Sequence, residues 1–244
     1  MSLNSGETLQ PFKALNQLIF DSSGNLIGIQ NDRANGADLR SVTTTTWANR
    51  PTTADPLHLY LFTDVGSSGT LMRYANGRWR PLAGQAMLAS LGASVSGVTN
   101  SETIVLQTLI PAGAWQTNDT IRLFFTGGKS GTTDTYLITV RVGTAGTTAD
   151  TAITGLSGFT GMIAANFSAG WIFDIKLNSA TSAQRLGSSG AQSGSFTSSA
   201  AAVASATTIT DASANALYVS LSIYSGGATN TVSINNGSIL LITP

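Results

Sequence analysis

Apolar and mostly polar residues alternate along the second half of the chain. Residues 136–142, 171–177 and 217–223 place an apolar side chain at every second position. A period of two residues is typical of a strand with one face in the core and one face outside it. Several such strands separated by glycine-containing turns predict an antiparallel β-sandwich or jelly roll. Residues 95 to 244 are therefore predicted to form a jelly-roll domain.

The end of this domain contains a further turn pattern. Val232 to Ile234 is followed by Asn235-Asn236-Gly237 and then by Ile239 and Leu241, which predicts a final hairpin. The Ser- and Ala-rich stretch 188–208 fits either a long loop or a frayed helix, and the pattern does not decide between them.

Some positions on the outward strand faces are apolar or aromatic, although polar residues are the rule there. Apolar residues on a second face indicate a subunit interface. The residues are Phe124, Ile172, Tyr218 and Tyr224.

Residues 1 to 46 form a predicted arm with one clear hairpin. Two apolar runs flank the turn sequence Asp-Ser-Ser-Gly-Asn at residues 21–25, and Asn35-Gly36 marks another turn. A lone hairpin is marginally stable in water, so this one is expected to dock on a partner or on the rest of the chain. The apolar residues expected to serve attachment are Leu18, Ile19, Phe20, Leu26, Ile27 and Ile29.

Residues 47 to 84 are predicted to form a small β module, and residues 85 to 94 a short helical linker. The module contains a strand candidate at 57–62 and a hairpin around Asn76-Gly77. In the linker, Leu88 and Leu91 are three residues apart and would share one helix face, and Gly92 would end the helix.

Charged residues are few, and this limits the kinds of partner that the chain is expected to bind. Only 10% of the 244 residues are charged, and twelve basic residues balance twelve acidic ones. A nucleic-acid partner is not expected because no basic excess exists. Low net charge is typical of a protein that works as a subunit of an assembly. The alternative is a secreted module whose solubility comes from its hydroxyl groups. The first residues lack the basic and apolar regions of a secretory signal, and no apolar run predicts membrane insertion, so synthesis in a cytoplasm is expected.

The sequence offers little catalytic chemistry. The chain has no cysteine and one histidine, His58, which lies in a strand pattern and is interpreted as structural. Gly127-Gly128-Lys129-Ser130 lacks the earlier glycine of a P-loop. Calcium between Asp134 and Asp150 is neither favoured nor excluded by the sequence. We expect no enzyme activity, no metal site and no cofactor.

One cluster joins arginine and aromatic side chains, which together can contact sugars or proteins. The alternative, which we favour, is that Trp79 and Tyr74 form the core of the small module. The cluster consists of Arg73, Tyr74, Arg78, Trp79 and Arg80.

Three segments of the small module have a distinctive sequence: Trp47-Ala48-Asn49-Arg50-Pro51, residues 62–66 and residues 74–84. Together they resemble a small module that recurs in virion structural proteins of tailed bacteriophages. Residues 109–122 and 139–151 look like the start of phage jelly-roll knobs of the tumour-necrosis-factor-like kind. The arm, with residues 19–28, is similar to the attachment ends of phage fibres and decoration proteins.

The resemblance implies a homotrimer on the virion surface, with its N-terminal arm docked on a capsid or tail protein and its knob outward. The chain lacks a long shaft, which favours a short head fibre or capsid decoration protein over a long tail fibre. The alternatives are a tail-side receptor-binding or adaptor protein that contacts host-surface glycans, a glycan-degrading enzyme, and a cellular lectin or adhesin.

Overall fold

The computed structural model describes residues 17–20, 26–33, 36–52, 58–96, 101–131, 136–153, 167–192, 205–225 and 231–244. Within these ranges the chain is almost entirely β, with a single short 3-10 turn at Trp47–Asn49, which confirms the predicted fold class. The strands are β1 (Gln17–Phe20), β2 (Leu26–Arg33), β3 (Gly36–Thr45), β4 (Leu59–Phe62), β5 (Thr70–Ala75), β6 (Arg78–Pro81), β7 (Gln85–Ser90), β8 (Val95–Ser96), β9 (Thr103–Ile110), β10 (Thr120–Ser130), β11 (Tyr136–Gly143), β12 (Thr151–Ala152), β13 (Phe167–Ser179), β14 (Ser182–Gln192), β15 (Thr207–Thr208), β16 (Leu217–Ser225) and β17 (Thr231–Ile242).

Two antiparallel sheets form the jelly roll. One has the strand order β15-β14-β13-β10-β17-β7, with β8 also paired to β17, and the other has the order β12-β11-β16-β9. Along the described strands the chain passes from one sheet to the other six times, between β8 and β9, β9 and β10, β10 and β11, β12 and β13, β15 and β16, and β16 and β17. Such exchange between two facing sheets is the topology of a jelly roll.

The core lies between these two sheets, and the predicted alternation accounts for it. The inward residues of four strands are fully buried or nearly so, which confirms the predicted faces. They are Ile121, Leu123 and Phe125 of β10, Ile138, Val140 and Val142 of β11, Trp171, Phe173, Ile175 and Leu177 of β13, and Leu217, Val219, Leu221 and Ile223 of β16.

The predicted helix in residues 85–94 is wrong, because Gln85–Ser90 is strand β7. This strand pairs antiparallel with β17, with Ala86 opposite Leu241 and Met87 opposite Leu240. Ala86 and Leu88 are buried in the common core. Eight residues cannot hold a helix without tertiary support, so the hydrogen bonds and burial offered by β17 decide the conformation.

The predicted terminal hairpin is also wrong, because β17 runs as a single strand through residues 231–242. Its pairing with β10 shifts by one residue, from Thr126 opposite Asn236 to Gly127 opposite Ile234, so Asn235 is the extra residue of a β-bulge. A Cβ on Gly127 would overlap the carbonyl oxygen of Ser233, so glycine permits this close approach. Residues typical of a turn here serve a bulge instead.

A third sheet joins the arm to the small module in the order β1-β2-β3-β4-β5-β6. The pairing of β1 with β2 confirms the predicted arm hairpin, and β2 pairs with β3 across the second predicted turn. The turn residues 21–25 and 34–35 lie outside the described residues. The last residues of β3, Val42–Thr45, pair in parallel with β4. Strand β3 therefore belongs to both the arm and the module.

The sequence left both a loop and a helix possible for residues 188–208, but the first residues of this stretch form a strand. Residues 188–192 belong to β14 and pair with β13, and residues 207–208 form β15. Residues 193–204 lie outside the described part of the chain.

Candidate functional site

The arginine–aromatic cluster lies on the hairpin formed by β5 and β6. Asn76 and Gly77 have φ angles of 53° and 78°, as a two-residue hairpin turn of type I′ requires. Tyr74 pairs with Trp79, and Arg73 pairs with Arg80. Directly paired residues share a face, so the two aromatic residues lie on one side of the hairpin and this arginine pair on the other.

The aromatic side belongs to the core of the module. Trp79 is only 5% exposed, and its ring meets those of Tyr60 and Phe62 edge-on at 5.0 Å each and that of Tyr74 at 5.3 Å. Trp47 completes the cluster through its contact with Phe62. The face of Trp79 is therefore occupied by protein neighbours and is not open for a sugar ring.

Two of the arginines reach from the module to the jelly roll. Arg78 Nη2 donates to the carboxylate of Asp119, and Arg78 Nη1 donates to the carbonyl oxygen of Thr117 at 3.2 Å. Arg80 Nη1 donates to the carbonyl oxygen of Pro244. Arg73 is exposed and makes no hydrogen bond or ion pair within the described part of the chain. The cluster thus has three parts. Trp79 and Tyr74 belong to the core, Arg78 and Arg80 form a clamp that bonds the module to the jelly roll, and the guanidinium group of Arg73 is exposed.

Asp119 is the acidic partner that the sequence analysis did not single out. Its side chain is completely buried just before β10, where it also accepts a hydrogen bond from the amide of Gln116 at 2.9 Å. Burial raises the pKa of Asp119 to about 6, although the Gln116 amide and the charge of Arg78 act in the opposite direction. Burial thus outweighs the ion pair, so the pKa of this carboxyl group lies between its ordinary value and neutral pH.

Further hydrogen bonds and a close approach of two backbone segments strengthen the same junction. The indole Nε1 of Trp47 donates to the carbonyl oxygen of Ala112 at 2.7 Å. The amide of Ser67 donates to the carbonyl oxygen of Leu88 on β7 at 3.1 Å. Gly66, with φ of 82°, lies so close to Met87 that a Cβ would overlap the Met87 carbonyl oxygen. The small module and the jelly roll are consequently packed directly against each other.

The predicted attachment residues are placed only through their backbone. Leu18, Ile19 and Phe20 lie on β1 and pair with Ile29, Gly28 and Leu26 of β2. Ile27 lies on β2. Their side chains lie outside the described residues, and their role in attachment stays a prediction.

The four apolar residues predicted on outward strand faces lie on two different sheets. Phe124 on β10 pairs directly with Ile172 on β13, and both are half-buried. Tyr218 and Tyr224 belong to β16 of the other sheet and are also half-buried. The sandwich therefore carries two separate outward apolar surfaces.

The outer face of the four-stranded sheet also carries an ion pair. Arg141 donates to both carboxylate oxygens of Glu102 at 2.8 and 2.7 Å, and Ser222 donates to the same carboxylate. Burial alone would raise the pKa of Glu102, but these hydrogen bonds and the charge of Arg141 lower it. The pair ties the segment before β9 to the middle of the sheet.

The remaining candidates show no reactive arrangement. Gly127, Gly128 and Lys129 lie within β10, so they form no phosphate-binding loop. His58 Nε2 lies 2.7 Å from the hydroxyl of Thr43, and its ring contacts that of Tyr60. Asp150 accepts the amides of residues 145–147 with its carboxylate, and Asp134 lies outside the described residues.

The described residues contain no grouping of three or more acidic or histidine side chains able to hold a metal ion. No helix in the same part of the chain is long and apolar enough to span a membrane.

Comparison with known proteins gives little further information. No protein-family model and no curated protein matches the sequence. Among solved structures, a chain in the structure of infectious bursal disease virus (Gx strain) is similar at a TM-score of 0.19 and 11% identity. The match covers 66% of this chain and 40% of that chain, so it spans less than half of the viral chain. A similarity this low carries no argument about function.

Proposed function

We propose that the chain is a non-enzymatic structural protein of a tailed-bacteriophage virion, and specifically a trimeric head fibre or capsid decoration protein. The arm would dock on a capsid protein, and the jelly roll would form an outward knob at the virion surface. Folds of this kind serve many functions, so the proposal needs support beyond the jelly roll.

The observation that carries the proposal is strand β3. It pairs with the arm hairpin through Gly36–Ser41 and with β4 of the small module through Val42–Thr45. Arg78 and Trp47 then join the module to the jelly roll. The proposed attachment arm and the knob would thus be connected by paired strands and buried contacts, as a short fibre requires. The resemblance of the arm to phage attachment ends supports the same conclusion.

Cryo-electron microscopy of the particle that encodes this chain tests the proposal. We expect density for the jelly roll outside the capsid at three-fold or quasi-three-fold positions, with residues 1–46 inserted between shell subunits. Density confined to the tail would favour the alternative, a receptor-binding or adaptor protein. Absence of the protein from the particle would contradict both.

The non-enzymatic part of the proposal has its own test. Purified protein incubated with host surface polysaccharide is expected to leave the number of reducing ends unchanged. New reducing ends would identify a glycan-degrading enzyme. Mutation of the carboxylates that lie near the bound polysaccharide would then locate its catalytic acid and base.

A further inference from the structure

A groove lies between the small module and the jelly roll and contains two unusually exposed apolar side chains. Leu82 is 40% exposed and Met87 is 48% exposed, and both line this groove. Its volume is about 380 Å³. The lining comes from the loop before β5, the start of β5, the turn after β6 and the start of β7, as residues 68–71, 82–83 and 85–87.

The lining of the groove is uncharged, and an exposed arginine follows one of the lining residues on strand β5. Its lining residues include no acidic and no basic side chain. Arg73 follows Leu71 by two residues on the same face of β5, a spacing of roughly 7 Å along a strand. Its cross-strand neighbour Arg80 is held by the carbonyl oxygen of Pro244. Among the described residues Arg73 makes no hydrogen bond or ion pair, so its guanidinium group is available to a ligand seated beside it in the groove.

This combination suits a protein ligand better than a sugar. Exposed apolar patches mark protein interaction sites, and methionine and arginine are enriched in interfaces. The lining offers no aromatic face on which a sugar ring could stack. The volume lies near the lower end of the range of about 300–1,000 Å³ for ligand pockets, which fits one or two side chains.

We infer that this groove binds an extended segment of another protein, which inserts apolar side chains between Leu82 and Met87 and places a carboxylate against Arg73. The apolar side chains supply affinity, and the carboxylate sets the orientation and the partner preference. The inference goes beyond the proposed function and does not depend on it, because the groove and its rim are properties of the single chain.

The two rival occupants are a second copy of this chain and an acidic polysaccharide. A second copy would fill the groove in a concentration-dependent way without any added ligand. An acidic polysaccharide would use Arg73 but would gain little from Leu82 and Met87. One spectroscopic experiment can distinguish both rival occupants from the proposed protein segment.

The experiment uses the full chain labelled with ¹³C at its methionine methyl groups. The probe is a short capped peptide of alternating leucine and aspartate, and the matched control peptide has lysine in place of aspartate. Polygalacturonate is added in a third titration as the acidic polysaccharide. We expect the acidic peptide to shift the NMR signal of Met87 saturably while the signal of Met72, which is buried, stays in place. The lysine peptide is expected to bind at least roughly fivefold more weakly, as removal of one exposed charge pair allows.

Variants give the test its specificity. Arg73→Gln is expected to weaken the acidic peptide roughly fivefold, and Leu82→Ser to abolish the Met87 shift. Leu109→Ser is the matched control, because Leu109 is 45% exposed on the opposite sheet, and it should bind like the parent chain.

Four results would overturn the inference: no Met87 shift with the peptide, equal binding of both peptides, Met87 broadening with protein concentration alone, or a Met87 shift caused only by polygalacturonate. The third result identifies a second copy as the occupant. The fourth identifies an acidic polysaccharide.

Discussion

Arg78 of β6 donates a hydrogen bond to the buried carboxylate of Asp119, forty-one positions further along the chain. The two residues belong to different parts of the fold, since Arg78 lies on the module hairpin and Asp119 precedes strand β10 of the jelly roll. Because Asp119 has no exposed surface, its charge has to be compensated inside the protein.

Removal of Arg78 is therefore expected to destabilise the protein strongly. Arg78→Met leaves the Asp119 carboxylate buried without its cation, which we expect to lower the free energy of unfolding by about 3 kcal/mol. Arg73→Met is the matched control and should change it by less than about 0.5 kcal/mol, because Arg73 is exposed on the same hairpin. Urea unfolding at pH 7 measures both. Equal effects of the two substitutions would show that the clamp is not formed.

The titration of Asp119 predicts a pH dependence of stability. The pKa of Asp119 is raised from 3.8 to about 6 in the folded protein. Between these values the folded protein binds the proton and the unfolded chain releases it, so the free energy of unfolding falls as pH rises. The decrease expected from pH 4 to pH 7 is about 2 kcal/mol, because the carboxyl group of the unfolded chain is already partly ionised at pH 4.

Asp119→Asn isolates this contribution, because the amide does not titrate. The difference in unfolding free energy between parent and variant should change with pH mainly between about pH 4 and pH 6. Glu102, whose pKa is lowered, titrates below its ordinary value and is unaffected by this substitution. A parent-minus-variant difference that is flat over this window would refute the assignment.

Gly66 and Gly77 provide a matched pair for the packing of module against jelly roll. Both have positive φ, 82° and 78° respectively, but a Cβ on Gly66 would overlap the backbone of Met87, and one on Gly77 would meet nothing within 4 Å. Gly77→Ala is expected to cost about 1 kcal/mol from backbone strain alone. Gly66→Ala should cost at least about 2 kcal/mol more, because backbone has to move as well. Thermal or urea unfolding measures the difference, and similar costs would mean that the loop around Gly66 does not contact β7.

If the protein is a trimer, a charged substitution in either outward apolar surface should dissociate it. A cyclic trimer uses a heterologous interface, in which one surface of a copy meets a different surface of the next. The two outward apolar surfaces on the opposite sheets, one with Phe124 and the other with Tyr224, fit that requirement. Phe124→Asp and Tyr224→Asp are each expected to shift the protein from trimer to monomer in sedimentation velocity. Leu186→Asp, an exposed position on β14, should leave the trimer intact, and a monomeric parent protein would disprove the trimer itself.

Much of the strand content follows from local pattern. Alternation in β11, β13 and β16 identifies which residues enter the core, because side chains on a strand point to alternate faces. The Asn76-Gly77 turn is likewise local, since both residues adopt the positive φ angles that a type I′ turn requires. These features need no knowledge of the rest of the chain.

Other features depend on partners far away in sequence. Met87 and Leu88 lie in a strand and not in the predicted helix, because β17 offers hydrogen bonds and a buried face to this segment. Asn235 and Asn236 continue a strand through a bulge because β10 runs alongside them, although the same residues commonly form turns. Short segments have too little intrinsic preference to resist such pairing.

Local residue patterns are sufficient to predict an all-β protein with a sandwich core, a paired arm and few charges. The contact of Arg78 with Asp119, the burial of Trp79 and the position of Leu82 and Met87 in one groove follow only from the folded arrangement. The difference arises because strand preference and side-chain direction depend on neighbouring residues, whereas ion pairs, bulges and grooves form only when separate strands are brought together.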